Sequence, residues 1–372
     1  MKRALLLAPF LLAACATLPD APGNPYLPNA VAGPFRALSD DAEVIEPDGG
    51  ILDDAPEIGN SRSPPAGFDD EDFWGRDITV VDADGDPSTL EVFAYVAAGV
   101  ATGMTDPTST DPTRSITRYG ALDGRSFDRS AEVVLLPDAA WEGNVLASPS
   151  AIRVGGGVFL YYAAAGGIGL AKSADSHAFV KVPGPVLGPA AGGWEQGAVP
   201  RSPGVVALPD GTFRMFYEIP TGPGVTSIGE AQSPDGEAWT RLGDAPALGP
   251  AGLGDAGDEP WDSTSVGSPS PQLAASADGR MEIRVYYGAL DSLGNGTVGL
   301  ASRYGADGPL SRAVSAVFGT GTMLGPREPC TLSFTDFTFL YATEKTSTTI
   351  SDPVIAVGVA PATVILPAPM PM

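Results

Sequence analysis

One phrase recurs three times along this 372-residue chain: a Trp followed by an acid, then a Ser-Pro pair, then two short apolar runs that close on a Tyr. It reads Trp141-Glu142 with Ser148-Pro149 and Tyr161-Tyr162, then Trp194-Glu195 with Ser202-Pro203 and Tyr217, then Trp261-Asp262 with Ser268-Pro269 and Tyr286-Tyr287. The Ser-Pro pairs are 54 and 66 residues apart. One such unit cannot bury its own apolar face, so the repeat implies a stack of similar β units.

The copy around Pro203 shows what each unit is. Pro203 to Leu208 reads as a first strand, Pro209-Asp210-Gly211 as a turn, and Thr212 to Tyr217 as a second strand. Ser227 to Gln232 is a third strand, and Ser233-Pro234-Asp235-Gly236 turns the chain toward Trp239 and a fourth, outer one. Four antiparallel strands per repeat describe a propeller blade. Weaker copies flank the clear ones. Arg76 to Val81, Leu90 to Tyr95, Ser115 to Tyr119 and Leu122 to Phe127 make an earlier blade; Glu328 to Phe334, Thr338 to Tyr341 and Val354 to Val359 make a later one. No long amphipathic helix is legible, so the expectation is an all-β, five-bladed propeller of four-stranded antiparallel blades over residues 71–366.

The ends of the chain read differently. Lys2 and Arg3 form a basic region, Ala4 to Leu12 an apolar one, and Leu12-Ala13-Ala14-Cys15 a small-residue cleavage pattern. Residues 1–14 resemble a bacterial lipoprotein signal peptide, which makes Cys15 the acylated first residue of an exported protein anchored at a cell-envelope membrane, the outer membrane in the first instance. Residues 15–70 are rich in Pro, Asp, Glu and Gly and read as an acidic tether; residues 367–372 read as a tail. Loss of Lys2 and Arg3 takes the formal charge from −24 to −26, which argues against nucleic acid as a partner. With one other cysteine, Cys330, no intrachain disulfide is open to the lipidated chain, and Cys330 reads as a small buried hydrophobe. The single histidine, His177, excludes a multi-histidine metal centre and argues against a Ser-His-Asp triad; it falls in a turn matching Ser233 to Glu237 and reads as exposed.

Val266 to Pro271, the Asp-Gly hairpin, the Tyr pair closing strand two, Val298 to Ser302 and Ser233 to Trp239 together resemble the five-bladed propeller glycosidases, which include arabinanases, β-xylosidases and fructan-cleaving relatives. The resemblance implies three carboxylates: a general base on the first blade's inner strand, a second that tunes a pKa, and a general acid further along. Asp77 matches the base. The second blade's acid after Pro is replaced by Ser150, and the acid expected just before the third blade's Pro is replaced by Arg201-Ser202. Glu218 and Glu195 are the candidate substitutes as catalytic carboxylates, since two suitably separated carboxyl groups are the minimum for glycoside hydrolysis.

The connectors that enter the inner strands belong around one mouth of the channel, and strand two returns there. Trp74, Arg76, Trp141, Glu142, Trp194, Arg201, Trp261 and Asp262 are therefore the candidate sugar-binding residues, because aromatic faces and carboxylates suit the C–H faces and hydroxyls of a sugar. Each Trp serves equally well as a wedge between blades. Asp82 to Pro87 resembles a calcium loop but has Pro87 where an EF-hand needs Gly, so it reads as a polar hairpin turn. No cofactor or metal centre is specified; a structural calcium ion in the channel is compatible with the pattern. Two functions fit: a glycan or glycoconjugate binder, either a diverged glycosidase or a binding module, and a non-catalytic structural or protein-interaction propeller of the envelope.

Overall fold

The computed structural model describes residues 32–37, 75–99, 114–124, 127, 129–252, 260–275, 280–322, 325–345 and 353–360. The leader, Cys15, Trp74 and the tail lie outside them. Among the described residues every regular element is a strand, and no helix is long and apolar enough to cross a membrane.

A two-residue strand, β1 (Arg36–Ala37), comes first. The first blade follows as β2 (Gly75–Asp82), β3 (Val92–Gly99), β4 (Arg114–Ala121) and β5 (Arg129–Leu135). The second is β6 (Ala147–Val154), β7 (Gly157–Ala164), β8 (Gly167–Ser173) and β9 (Val180–Lys181); the third is β10 (Arg201–Ala207), β11 (Phe213–Gly222), β12 (Val225–Ser233) and β13 (Thr240–Leu242). The fourth is β14 (Ser265–Ala275), β15 (Met281–Leu290), β16 (Gly296–Tyr304) and β17 (Ser311–Arg312), with β18 (Phe318–Thr322) also paired to β16. The fifth takes β19 (Arg327–Ser333), β20 (Thr338–Lys345) and β21 (Pro353–Ala360). All pairings are antiparallel, and the innermost strands touch in a closed circle, β2 to β6 to β10 to β14 to β19 and back to β2. This is the expected all-β, five-bladed propeller.

The fifth blade differs from expectation in one way. Its fourth strand is β1, which pairs outside β21 with Arg36 opposite Val359 and Ala37 opposite Gly358. Residues assigned to the tether thus belong to the folded body. Phe35 is buried against Tyr286, and its N–H donates to Val317 O at 2.8 Å, so this short segment ties the fourth blade to the fifth. Closing the last blade with chain from the other terminus covers an edge that would otherwise present unpaired N–H and C=O groups. The first blade also differs, with β5 beginning at Arg129 rather than within 122–127.

The core is five apolar clusters, one between each pair of neighbouring blades. Strand-two tyrosines explain their regularity. In the first, second and fifth blades one of them reaches the outer turn of the next blade: Tyr95 Oη donates to Ser176 O at 3.3 Å, Tyr161 to Gly236 O at 2.9 Å and Tyr341 to Gly124 O at 2.7 Å. The third blade has Phe216 in that place, and its junction with the fourth is made instead by buried Arg303, whose Nη1 donates to Glu230 Oε2 at 2.8 Å. A second link runs around the channel. Ala151 N–H donates to Thr79 Oγ1 at 3.0 Å, Val205 N–H to Ser150 Oγ at 3.3 Å and Val80 N–H to Cys330 Sγ at 3.3 Å. Cys330 is buried as expected, and burial pushes its thiol up.

The outer turns are Asx motifs. Asp175 Oδ1 accepts the N–H groups of His177 and Ala178 at 3.0 and 2.8 Å and the Ser173 hydroxyl at 2.8 Å. The Ala178 and His177 N–H bonds hold its carboxyl down at about 2. A depressed carboxylate stabilises the fold above its unfolded value and loses that contribution as the pH falls toward 2. Stability measured by denaturant titration should therefore decline between pH 4 and 2 by less in Asp175→Asn than in the parent; identical acid limbs would contradict this. His177, in the same turn, is exposed as expected, with Nδ1 2.8 Å from Glu132 Oε2.

Candidate functional site

Each inner strand carries one non-glycine residue in the left-handed backbone region: Asp77 (φ 56°), Ser148 (45°), Ser202 (46°), Ser268 (45°) and Glu328 (53°). Four of the five precede a proline, and each marks a register shift against strand two, so every inner strand begins with a bulge. The strain of a non-glycine residue in this region persists only where its surroundings hold it. The five residues form a ring at one end of a channel whose cavity measures about 410 Å³.

Hydrogen bonds join members of the ring. Asp77 is buried, and its Oδ2 accepts the N–H and hydroxyl of Ser148 at 3.0 and 3.2 Å. Ser148 Oγ lies 3.3 Å from Ser202 Oγ, and the Asp77 N–H donates to Thr343 Oγ1 at 3.2 Å. Glu218 occupies in the third blade the place that Thr343 has in the fifth, and caps the next blade alike: its Oε2 accepts the Ser268 N–H at 3.0 Å. Its other oxygen holds Arg201, whose Nε donates at 2.8 Å and whose Nη2 lies 2.6 Å away. Arg201 and Glu218 face each other across β10 and β11, so the pair is fixed by strand register. Asp77, Arg201 and Glu218 are therefore the sequence candidates that the structure gathers around the ring. Arg76 stands opposite Ala97 in β2, one position before Asp77.

The Trp-acid candidates are engaged elsewhere. Glu142 is fully buried, with Tyr162 Oη donating to Oε1 at 2.7 Å and Lys181 Nζ to Oε2 at 2.8 Å. Glu195 accepts Tyr217 Oη at 2.5 Å and Arg241 Nε at 2.7 Å; Asp262 accepts Tyr287 Oη at 3.1 Å and Arg312 Nη1 at 2.7 Å. Lys181, Arg241 and Arg312 all lie on the outermost strand of their blade, so each acid clamps strand two to the blade's far edge. Burial and the neighbouring carboxylate push all three phenols up, keeping them donors. Trp141 stacks on Tyr162 at 6.2 Å and Trp261 on Tyr287 at 5.9 Å, while Trp194 packs into the cluster between the second and third blades. The Tyr ring fits because the residue opposite it is glycine; a Cβ at Gly299 would lie 2.5 Å from Tyr287. Trp141, Glu142, Trp194, Glu195, Trp261 and Asp262, the expected sugar-binding rim with Glu195 as a catalytic acid, are thus engaged as wedges and clamps within their blades; like Arg201 and Glu218, they lie outside the set of residues lining the channel cavity.

Glu328 is the ring residue that the sequence reading did not single out as a site. Its signal was its place before Pro329, the fifth blade's counterpart of the Ser-Pro junctions. The acidic hairpin between β2 and β3 uses its carboxylates internally, Asp82 Oδ1 accepting the Asp84 and Gly85 N–H groups at 3.0 and 2.6 Å and Asp86 Oδ1 that of Ser88 at 2.9 Å. Among the described residues, no group of three or more His, Cys, Asp or Glu side chains is placed to hold a metal ion.

No protein family matches the sequence, and no curated protein matches it. Solved structures do match in shape. A glycoside hydrolase superposes with a TM-score of 0.60 at 14% identity, covering 83% of this chain and 94% of that one. A thermostable family-43 glycoside hydrolase gives 0.55 at 13% identity, covering 81% and 97%. This chain shares their propeller fold. A β-1,2-mannobiose phosphorylase from Listeria innocua, solved with β-1,2-mannobiose, also matches, with a TM-score of 0.54 at 13% identity over 77% and 90% of the two chains. Proteins named for different reactions thus stand on one scaffold, and the reaction has to be argued from the side chains at the ring.

Proposed function

We propose that this chain is a lipid-anchored propeller of a bacterial cell envelope that binds a glycan or glycoconjugate at the ringed end of its channel without hydrolysing it. The observation that carries the reading is the Arg201–Glu218 pair. Where the propeller glycosidases place a general acid, this chain presents a guanidinium, which stays protonated and gives no proton to a leaving group. Glu218 is within reach but has both oxygens occupied, one by Arg201 and one by the Ser268 N–H. Asp77 remains at the place of the base, its Oδ2 accepting the Ser148 N–H. What is left suits binding: three serines, two acids and an arginine supply donors and acceptors for sugar hydroxyls around a concave opening.

The anchor reading rests on residues 1–15. The described body begins at Ala32, so residues 16–31 separate it from Cys15 and span at most about 55 Å when extended. Cys15→Ser should move the protein from the membrane fraction to the soluble one; retention at the membrane would contradict lipidation. For the site, an array of plant and bacterial oligosaccharides with mass spectrometry of the recovered ligand is the test. Saturable binding of an intact glycan supports the proposal, cleavage contradicts the non-hydrolytic part, and no binding across the array sinks it in favour of a protein-interaction propeller.

A further inference from the structure

Arg201, one residue before the ring member Ser202, is the side chain whose placement says what kind of sugar fits. Its guanidinium is held along one edge only, with Nε and Nη2 on Glu218 Oε1. Glu218 is itself immobilised, since Oε2 accepts the Ser268 N–H and lies where a side chain at Gly267 would be, 2.2 Å from the Cβ position. Glycine at 267 therefore makes the room that lets Glu218 fix the arginine. The arginine side chain is 51% exposed, and no other partner for it exists among the described residues. Its free end presents Nη1 and the outward N–H of Nη2, two parallel donors on a preorganised plane.

That geometry matches a carboxylate better than a hydroxyl, because two parallel N–H groups meet two oxygens and the bonds are charge-assisted. The Ser202 hydroxyl, one residue along the strand, lies 3.3 Å from that of Ser148, and the remaining lone pairs of the two can accept from ring hydroxyls. The chain's net charge of −24 opposes an anion at long range, but that repulsion is screened beyond about 8 Å at physiological ionic strength, leaving contact chemistry to decide. Resting on the glycan-binding reading above, we infer that Arg201 selects carboxylated sugars: the ligand is a uronate-containing glycan whose carboxylate docks on the free Nη1/Nη2 edge while Glu218 holds the other edge.

Matched pairs of probes test this on the full chain: galacturonan, glucuronoxylan and alginate fragments, each against its carboxyl-reduced counterpart, measured by calorimetric titration. At least one uronate fragment should bind about 10- to 100-fold more tightly than its reduced form, the range expected for a charge-assisted hydrogen-bonded contact. Arg201→Ala should bring the acidic and reduced forms to equal affinity, and Arg201→Lys, which keeps the charge without the planar fork, should leave an intermediate preference. Arg201→Lys, which keeps a charge beside buried Glu218, should melt with the parent, and Arg201→Ala somewhat below it while remaining folded at the titration temperature. Equal binding of acidic and reduced forms by the parent, or an equal loss of both in Arg201→Ala, overturns the selectivity while leaving the glycan-binding reading intact. Failure to bind any fragment, acidic or neutral, overturns both together.

Discussion

Replacing Glu142 by alanine should destabilise the propeller by about 3 kcal/mol, as expected for removing the acceptor from a buried, charge-assisted cluster. The variant strands the Tyr162 hydroxyl and the Asp138 and Ala139 N–H groups, all of which now donate to Glu142, while Lys181 keeps Asp138 and the Leu136 carbonyl. Trp141, stacked on the same tyrosine, loses its support. Burial pushes the Glu142 carboxyl up, but Lys181, Tyr162 and the two N–H groups outweigh it and hold it below its ordinary value. Its contribution is therefore present above the unfolded carboxylate range and is lost as the pH falls through the depressed folded value. Denaturant titration at neutral pH reads the main effect, and Glu142→Gln should lose less, keeping one acceptor. Parent-like stability with a loss of sugar binding would instead return Glu142 to the rim that the sequence suggested.

A chain beginning at residue 71 should be less stable than one beginning at residue 16 by about 3–5 kcal/mol, and should aggregate. The shorter chain is the domain that sequence reading delimits, yet it lacks β1 and Phe35. Burying a phenylalanine contributes roughly 1.5–3 kcal/mol, to which the β1–β21 pairing and the Phe35 to Val317 hydrogen bond add. The exposed strand would then be Pro353 to Ala360, an uncharged run of Val, Ile, Ala and Gly after its proline, which is the composition that pairs edge to edge between molecules. Equal melting of the two chains, both monomeric by size exclusion, would show that β1 contributes nothing to closure.

These two results bear on what the sequence made legible. The blade count followed from the spacing of Ser-Pro pairs, Asp-Gly turns and Tyr-terminated strands, because alternation and turn chemistry are local properties. β1 was hidden because two residues carry no periodicity and their partner strand lies more than 300 residues away. The clamp that engages the Trp-acid pairs was hidden for a different reason. Their repetition was real, but a repeated buried acid needs a repeated partner, and those partners, Lys181, Arg241 and Arg312, sit on outer strands only two or three residues long. An acid, a tyrosine, a glycine opposite it and a basic residue on the last strand is the full phrase. At the ring, Asp77 and Arg201 were visible as one match to the resemblance and one departure from it, whereas Glu328, although it opens the later blade, follows no Trp-acid pair and carried no mark of a site.

Where a glycan sits and whether it survives decide between binding and hydrolysis. A structure of the protein with an oligosaccharide drawn from the array addresses both at once. An intact sugar chain is expected over Ser148, Ser202 and Arg201, in contact with the Asp77 end of the ring. A ligand on the blade edges beside Trp141, Trp194 or Trp261, or hydrolysed fragments at the ring, would contradict it.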